Sequence, residues 1–542
     1  MQRKTFLNIA FNYLMIFNLL SLMLLSQSCQ NTSNASKRIS MKTNEQIIHI
    51  NNQGDIDSLH PHVGIDLQCR IFQKALFEGL TRINAESVPE LAGAASYTVS
   101  ESKLEYIFHL RPMQWSNGEP VKASDYVRAW HAAIAPSSCC LRADLFYPIK
   151  HAQAAKMGEI SLDKVGVKAL DDTTLAITLE HPTPYLLDLL ANPLFSPLFD
   201  DAVEPTCFNG PFTIEEYVRE KQLTLCQNEQ YWDVSNVQLE KICISFVHDP
   251  NTAVMMYEKG ELDWVGAPFT LLPLDATEKI EQSDDFQSAV ISGVYWLCLN
   301  TKQKLLENKK IRQSLSMVLD RKMIARDVLM GESVCKSMLP PGMSLLEESE
   351  LYKDNNVKMA RHLFDEGLKE LNLTREKPLK LVLSHSNIGG QKKLSEALQQ
   401  TWEQAFDIEI ALNGSEWNTF FANLGQKQFD IGGCIWFSAF NDPIYNLEFF
   451  KDKTHRYNSP SWHNENYCKL LELADQEVDL EIRREHLKQA ERLILEEMPI
   501  IPLYVYSFKY LKSPKVQGVN LSHLGQVDFK QMYIQDEALT TR

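Results

Sequence analysis

Phe108–Val127 reads FHLRPMQWSNGEPVKASDYV, and just upstream Leu76–Leu80 reads LFEGL. In the first stretch the apolar residues begin at strand spacing: Leu104, Tyr106, Phe108 and Leu110 alternate with Glu105, Ile107 and His109, as a half-buried strand requires. The spacing then turns helical at Tyr126, Val127, Trp130, Ala133 and Ile134, with Ser124 and Asp125 favouring a helix start there. Between the two lies a run rich in Pro, Gly and aromatic residues. Nothing in the whole window groups side chains into a catalytic set. The pattern describes a rigid scaffold, one that holds a ligand rather than transforms it.

The chain has 542 residues, too many for one ordinary core, so two or three domains are expected. Hydrophobic residues at 44% and charged residues at 23% are those of a soluble globular protein. The net charge is -16, from 54 basic and 70 acidic residues. That balance argues against nucleic acid, because phosphate binding needs a basic face. Residues 30–44 are polar and aperiodic, which suits a tether.

The N-terminus bears on the compartment. Arg3 and Lys4 precede an apolar run from Phe6 to Leu25, followed by Ser26-Gln27-Ser28-Cys29 and a polar tract. A basic n-region, an apolar h-region and a small residue before the cut describe a secretory signal. Cys29 directly after Ser28 resembles a bacterial lipobox, whose thiol is acylated, although Leu25 sits one place further back than the pattern has it. An uncleaved membrane anchor is the alternative, since the run approaches the roughly 20 residues that span a bilayer. The asparagines at 8, 12 and 18 weaken that alternative. Either way the body of the protein is expected to be exported and tethered to a membrane. Ten cysteines follow Cys29, and none forms a C-x-x-C pair. Cys207 and Cys226 flank an expected hairpin where one disulfide is open, and buried free thiols are the expectation for most of the ten.

From Ile47-Ile48-His49-Ile50 to about residue 240 the signals are short strands and turns. The second half changes rhythm. Helices around Val357–Leu371 and Lys392–Phe406 alternate with strands at Leu379–Leu383 and Ile408–Leu412. A Ser415-capped helix then leads to an apolar strand, Phe429–Trp436. Strands alternating with helices imply a parallel α/β sheet whose ligands sit at the carboxyl ends of strands. A pocket is therefore expected at Ile435-Trp436-Phe437-Ser438-Ala439. A long amphipathic helix, Ile482–Met498, is stopped by Pro499 and followed by a buried strand, Ile500–Tyr506.

Enzyme signatures are missing. There is no G-x-S-x-G elbow, H-E-x-x-H helix, Walker A loop or G-x-G-x-x-G fingerprint. His60-Pro61-His62 is the best metal candidate, but it has no third ligand nearby in sequence, so no metal or cofactor is expected. Asp171-Asp172 reads as a turn before a strand rather than as a carboxylate pair.

LFEGL, the Phe108–Val127 stretch and Gly166–Phe195 together resemble the extracytoplasmic oligopeptide-binding proteins of bacterial ABC importers, solute-binding family 5. So do NGPF at Asn209–Phe212, Tyr231-Trp232-Asp233, Thr252–Gly266, Asn308–Leu329 and Leu339-Pro340-Pro341-Gly342. The resemblance runs from about residue 46 almost to the C-terminus, in the family's order. It implies an α/β fold of the periplasmic-binding-protein type II, a two-lobed clamp of three domains with a hinge. Domain I is expected at 46–77 with 202–325 and 507–542, domain II at 78–201, and domain III at 326–506. Residues 1–28 are then the signal and 29–45 the lipid-anchored tether. The implied function is a monomeric receptor in the cell envelope that captures peptides by lobe closure and delivers them to a permease and ATPase. Backbone groups of Ile435, Phe437 and Ala439 are expected to pair with an extended ligand, with Trp436, Asn441, Asn300, Tyr504 and Tyr506 as further pocket residues.

The resemblance also exposes a departure. Family members place an Asp shortly after the Trp of this strand to meet the peptide's α-ammonium, and here that position is Ala439. Gly432, Gly433 and Leu424 stand where some relatives carry arginines for the peptide carboxylate. Two receptor readings follow: one for peptides, with the amine met elsewhere, and one for another solute, such as a modified or cell-wall-derived peptide, a metal complex or haem. A peptidase is the reading from another class, and it lacks its nucleophile and metal motifs.

Overall fold

The computed structural model describes residues 45–273, 276–347, 352–374 and 378–535; the signal and lipidation expectations, Cys29 included, lie outside these. Two long strands dominate it. Phe286–Leu299 and Ile500–Lys512 are dense in β-branched and aromatic residues and pair antiparallel. At roughly 3.3 Å per residue each exceeds about 40 Å, enough to run through both halves of the molecule. They form the spine of an 11-stranded sheet.

On one side Trp264–Gly266 pairs with Tyr510–Lys512 and is followed by Ile47–Asn52, Lys241–Phe246, Gln222–Gln227 and Phe212–Val218. On the other side Ile431–Phe437 pairs antiparallel with Gly293–Leu299, and Lys380–Ser386 and Glu409–Ser415 follow in parallel. The alternating segments of the second half are helices Val357–Glu370, Gln391–Phe406 and Trp417–Gly425. The last is capped by Glu416 rather than Ser415, its carboxylate accepting from the Asn418 and Thr419 amides at 2.9 and 3.3 Å.

The register of the spine ladder shifts at two nearby places, between Val290 and Val294 and between Tyr295 and Trp296. Val290 pairs with Ser507 and Val294 with Val505, so Ile291-Ser292-Gly293 stand opposite Tyr506 alone. A bulge of this kind bends and twists a ladder locally. C-terminal to it, Tyr295, Leu297 and Leu299 share a core with Leu315, Phe364, Leu381, Leu398 and Trp402. The Trp402 indole donates to the Leu315 carbonyl at 2.9 Å. Trp296 and Cys298 face another core, while Leu305, Ile311, Leu315 and Ile324 join that of Tyr295. The helix Lys309–Met317 turns Ile311 and Leu315 into that core, a partnership that motif order along the chain does not display.

Residues 78–201 contain a separate four-stranded sheet of Ala94–Val99, Glu105–Leu110, Thr174–Thr178 and Val167–Asp171, antiparallel throughout. The opening stretch supplies its centre. Phe108, Trp115, Tyr126 and Trp130 are buried, the Trp115 indole donates to Asp125 at 3.3 Å, and Gly118 turns the loop at φ 88°. LFEGL, NGPF and Tyr231-Trp232 converge at the base of this domain. The buried Glu78 carboxylate accepts from the Tyr231 hydroxyl and the Trp232 indole, both at 2.6 Å, and from Arg82 at 3.2 Å. Arg82 and Lys74 also hold Asp528 near the C-terminus. Asn209 brackets the Glu78 backbone, accepting at 3.1 Å and donating at 2.8 Å. All ten described cysteines are free, Cys207 and Cys226 included.

Two measurements check these contacts. Gly433→Ala places a Cβ 2.5 Å from the Trp296 carbonyl; it should destabilise by about 1–3 kcal/mol and lower the melting temperature. Gly425→Ala meets only the Arg456 side chain at 3.4 Å or more and should be neutral or mildly stabilising. Arg82→Met leaves Glu78 buried without its cation and should cost about 3–5 kcal/mol in chemical denaturation.

Candidate ligand-binding site

Ile431–Phe437 has two edges of unequal use. One is paired over its whole length with Gly293–Leu299; the other meets Lys380–Ser386 only at Ile431 and Gly432. Among the described residues no strand pairs with Gly433–Phe437 on that second edge. Unpaired main-chain donors and acceptors of this sort are a template for an added strand.

The walls around this edge are aromatic. Trp436 is buried and stacks on Trp296 at 5.7 Å and 10°, with Phe421, Phe449 and Tyr457 around it. Neither buried indole N–H has an acceptor. Phe437 is half-buried, covers Gly293 and meets Tyr506 edge-on at 6.1 Å. Beyond it the chain returns to the bulge, the Ser438 amide donating to the Ser292 carbonyl at 3.2 Å.

Here the two lobes touch. Phe440 stacks on Tyr185 of the other lobe at 4.5 Å and 5°. The Arg142 guanidinium, held by both Asp144 oxygens at 3.0 and 2.8 Å, donates to the Tyr445 hydroxyl at 3.0 Å. Arg483 lies 5.7 Å from the Tyr185 ring and grips Asp442 with two bonds of 2.9 Å. Closure has an electrostatic side as well: desolvation, and then the nearby Asp442, push the Asp188 carboxyl up to about 6. An aromatic stack and arginines that carry their own counter-ions thus join Arg142 and Tyr185 to the segment Phe440–Tyr445 and to Arg483.

The family described as bacterial extracellular solute-binding proteins, family 5 Middle, matches residues 87–458. The chain belongs to that family. It is 35% identical to the oligopeptide-binding protein OppA of Bacillus subtilis, over 90% of this chain and 92% of that protein. It is 29% identical to the dipeptide-binding protein DppE of the same organism, over 90% and 91%. Among solved structures, Listeria monocytogenes OppA bound to peptide superposes with a TM-score of 0.78 at 25% identity, covering 91% of this chain and 100% of that one. The fold is the periplasmic-binding-protein type II clamp, and the relatives are named as solute- and peptide-binding proteins.

Ile435, Trp436 and Phe437 lie on the strand with the free edge and Ala439 just past it, whereas Tyr506 belongs to a strand two places away and reaches only the Phe437 ring. Ala439 is buried, and Asn441 is exposed just past it. Asn300 is not with them. It follows Leu299, at the opposite end of the strand, where its amide donates to the Lys427 and Phe429 carbonyls at 3.2 and 2.8 Å. Tyr504 is core packing, stacked on Tyr295 at 5.0 Å and buried. Gly432 has no room for a long side chain, since a Cβ there would stand 3.1 Å from Leu424. His60 and His62 have rings 5.1 Å apart, and desolvation lowers the His62 pKa to about 3. Among the described residues no group of three or more His, Cys, Asp or Glu side chains is placed to hold a metal. The reading of residue types missed Tyr185 and Arg142, whose partners lie roughly 250–300 positions away; no local pattern announces such a pair.

The Tyr185–Phe440 stack should contribute about 0.5–1.5 kcal/mol to closure. A double-mutant cycle with Tyr185→Ala and Phe440→Ala, read by fluorescence transfer between labels on the two lobes, should return that coupling. Zero coupling would mean the rings do not hold the lobes.

Proposed function

We propose that this protein is an extracytoplasmic receptor that captures oligopeptides by closure of its lobes and releases them unchanged to an ABC permease. The free edge at Gly433–Phe437 carries this reading. An extended peptide laid along it satisfies main-chain groups whatever its side chains are, so affinity does not depend on sequence. Water in the surrounding pockets then tolerates varied residues. The peptide specificities named for the two Bacillus relatives and the peptide in the Listeria structure support the same ligand class. In this reading Ile435, Phe437 and Ala439 offer backbone, Trp436 and Tyr506 offer walls, and Asn441 lies at the rim. The receptor works as a monomer held to the membrane through acylated Cys29, with closure as the signal the permease reads.

Ala439 favours a second reading, a ligand whose N-terminus is modified or absent. Asp442, three residues on, is committed to Arg483 and does not stand in for the missing acid. Native mass spectrometry of gently purified protein should show a retained peptide of unchanged mass; a non-peptide ligand, or cleavage abolished by one point mutation, would overturn the receptor reading for peptides. Ala439→Asp should tighten binding of free-amine peptides relative to N-acetylated ones by about tenfold or more, measured by calorimetry. Cys29→Ser should abolish metabolic incorporation of labelled fatty acid.

A further inference from the structure

Arg70 stands out among the buried arginines. Arg82, Arg142, Arg321 and Arg483 each hold a carboxylate, and Arg312 is wrapped by the backbone carbonyls of Leu306, Glu307, Glu497 and Met498. Among the described residues the side chain of Arg70 has neither a carboxylate nor a carbonyl in contact with it. Its Nε–H is buried without an acceptor, while the residue as a whole keeps partial exposure. It projects from the helix Leu67–Leu76, whose Ile71, Phe72, Ala75 and Leu76 fill the core.

Its surroundings place it at the junction of all three domains. Its electrostatic neighbours are Tyr445 of the third domain, Arg142 of the second, and Asp66 and Cys69 of its own helix region. Arg142 is already neutralised by Asp144. Asp66 attracts Arg70 from a distance but is itself exposed. A guanidinium stays protonated at any working pH, so this charge sits in the fold without a contact ion pair, an arrangement that an arriving anion would stabilise. The orphaned Nε–H belongs to the edge of the guanidinium that takes a planar carboxylate with two parallel bonds. On the strand Gly432 and Gly433, and on the helix before it Leu424, offer no cation.

Resting on the peptide-receptor reading, we propose that Arg70 is the anion subsite of the interlobe cleft and holds a carboxylate of the captured peptide. The geometry asks for a planar, singly charged oxyanion presented as the lobes close. That carboxylate belongs either to the peptide's C-terminus or to an acidic side chain, and the chemistry at Arg70 is the same for both.

Calorimetry with three peptides on the full ectodomain separates the sources: trialanine, Ala-Glu-Ala amide and Ala-Ala-Ala amide. Arg70→Gln should weaken one or both carboxylate-bearing peptides by about 30-fold or more and leave the neutral amide within about threefold. Arg70→Lys, which keeps a point charge and loses the fork, should fall between. The ligand-free Arg70→Gln protein should melt at the wild-type temperature or above it, since an unpaired buried charge has been removed. Equal loss for all three peptides, no loss for any, or a markedly lower melting temperature would overturn the subsite while leaving the peptide reading in place. Failure of all three peptides to bind the wild type would overturn the peptide reading and the subsite together.

Discussion

One sheet runs through the molecule, and its two spine strands, Phe286–Leu299 and Ile500–Lys512, are joined by ladder bonds and by packing on both faces. The residue count differs between the strands at Ile291-Ser292-Gly293 and again between Tyr295 and Trp296, so the ladder opens and the twist changes across this short segment. The same segment bonds the chain that leaves the candidate site, through Ser292 and Ser438, and Gly293 lies under the Phe437 ring. Bulge and binding edge are thus mechanically one object.

The second constraint is the buried polar knot at Glu78. A carboxylate, two ring donors, two cations and a distant Asp are brought together from three separated parts of the chain. Such networks are costly when incomplete and specific when satisfied. This one ties residues 78–201 to the N- and C-terminal segments, so that two domains move as one lobe. The contrast with Arg70 is physical. Glu78 and Asp528 have contact partners inside the protein, whereas Arg70 has no contact ion pair among the described residues, which is why the first reads as architecture and the second as a place for something else.

Much of the local structure was legible before any coordinates. Alternation at Leu104–Leu110 and helical spacing from Tyr126 each correspond to an element in the structure. So do the helix-strand rhythm of residues 357–437 and the final strand at Ile500. Each of these rests on periodicity over a handful of neighbours, which a linear chain displays directly. Asn300 and Tyr504 lie away from the free edge of Ile431–Phe437, because a residue type says nothing about which end or face of a sheet it occupies once long strands cross.

By itself the sequence determined the class of fold, the rigidity of the Leu76–Trp130 region and the absence of an acid at position 439. All three depend on residue identity and short-range order. Only the tertiary structure decided which residues share a core, which strand edge stays open, and which charges are left without a contact ion pair. Those are properties of pairs far apart in the chain: Tyr185 with Phe440, Arg142 with Tyr445, Gly293 with Phe437. Their energies exist only after the loops between them have closed, so no stretch of sequence carries them alone.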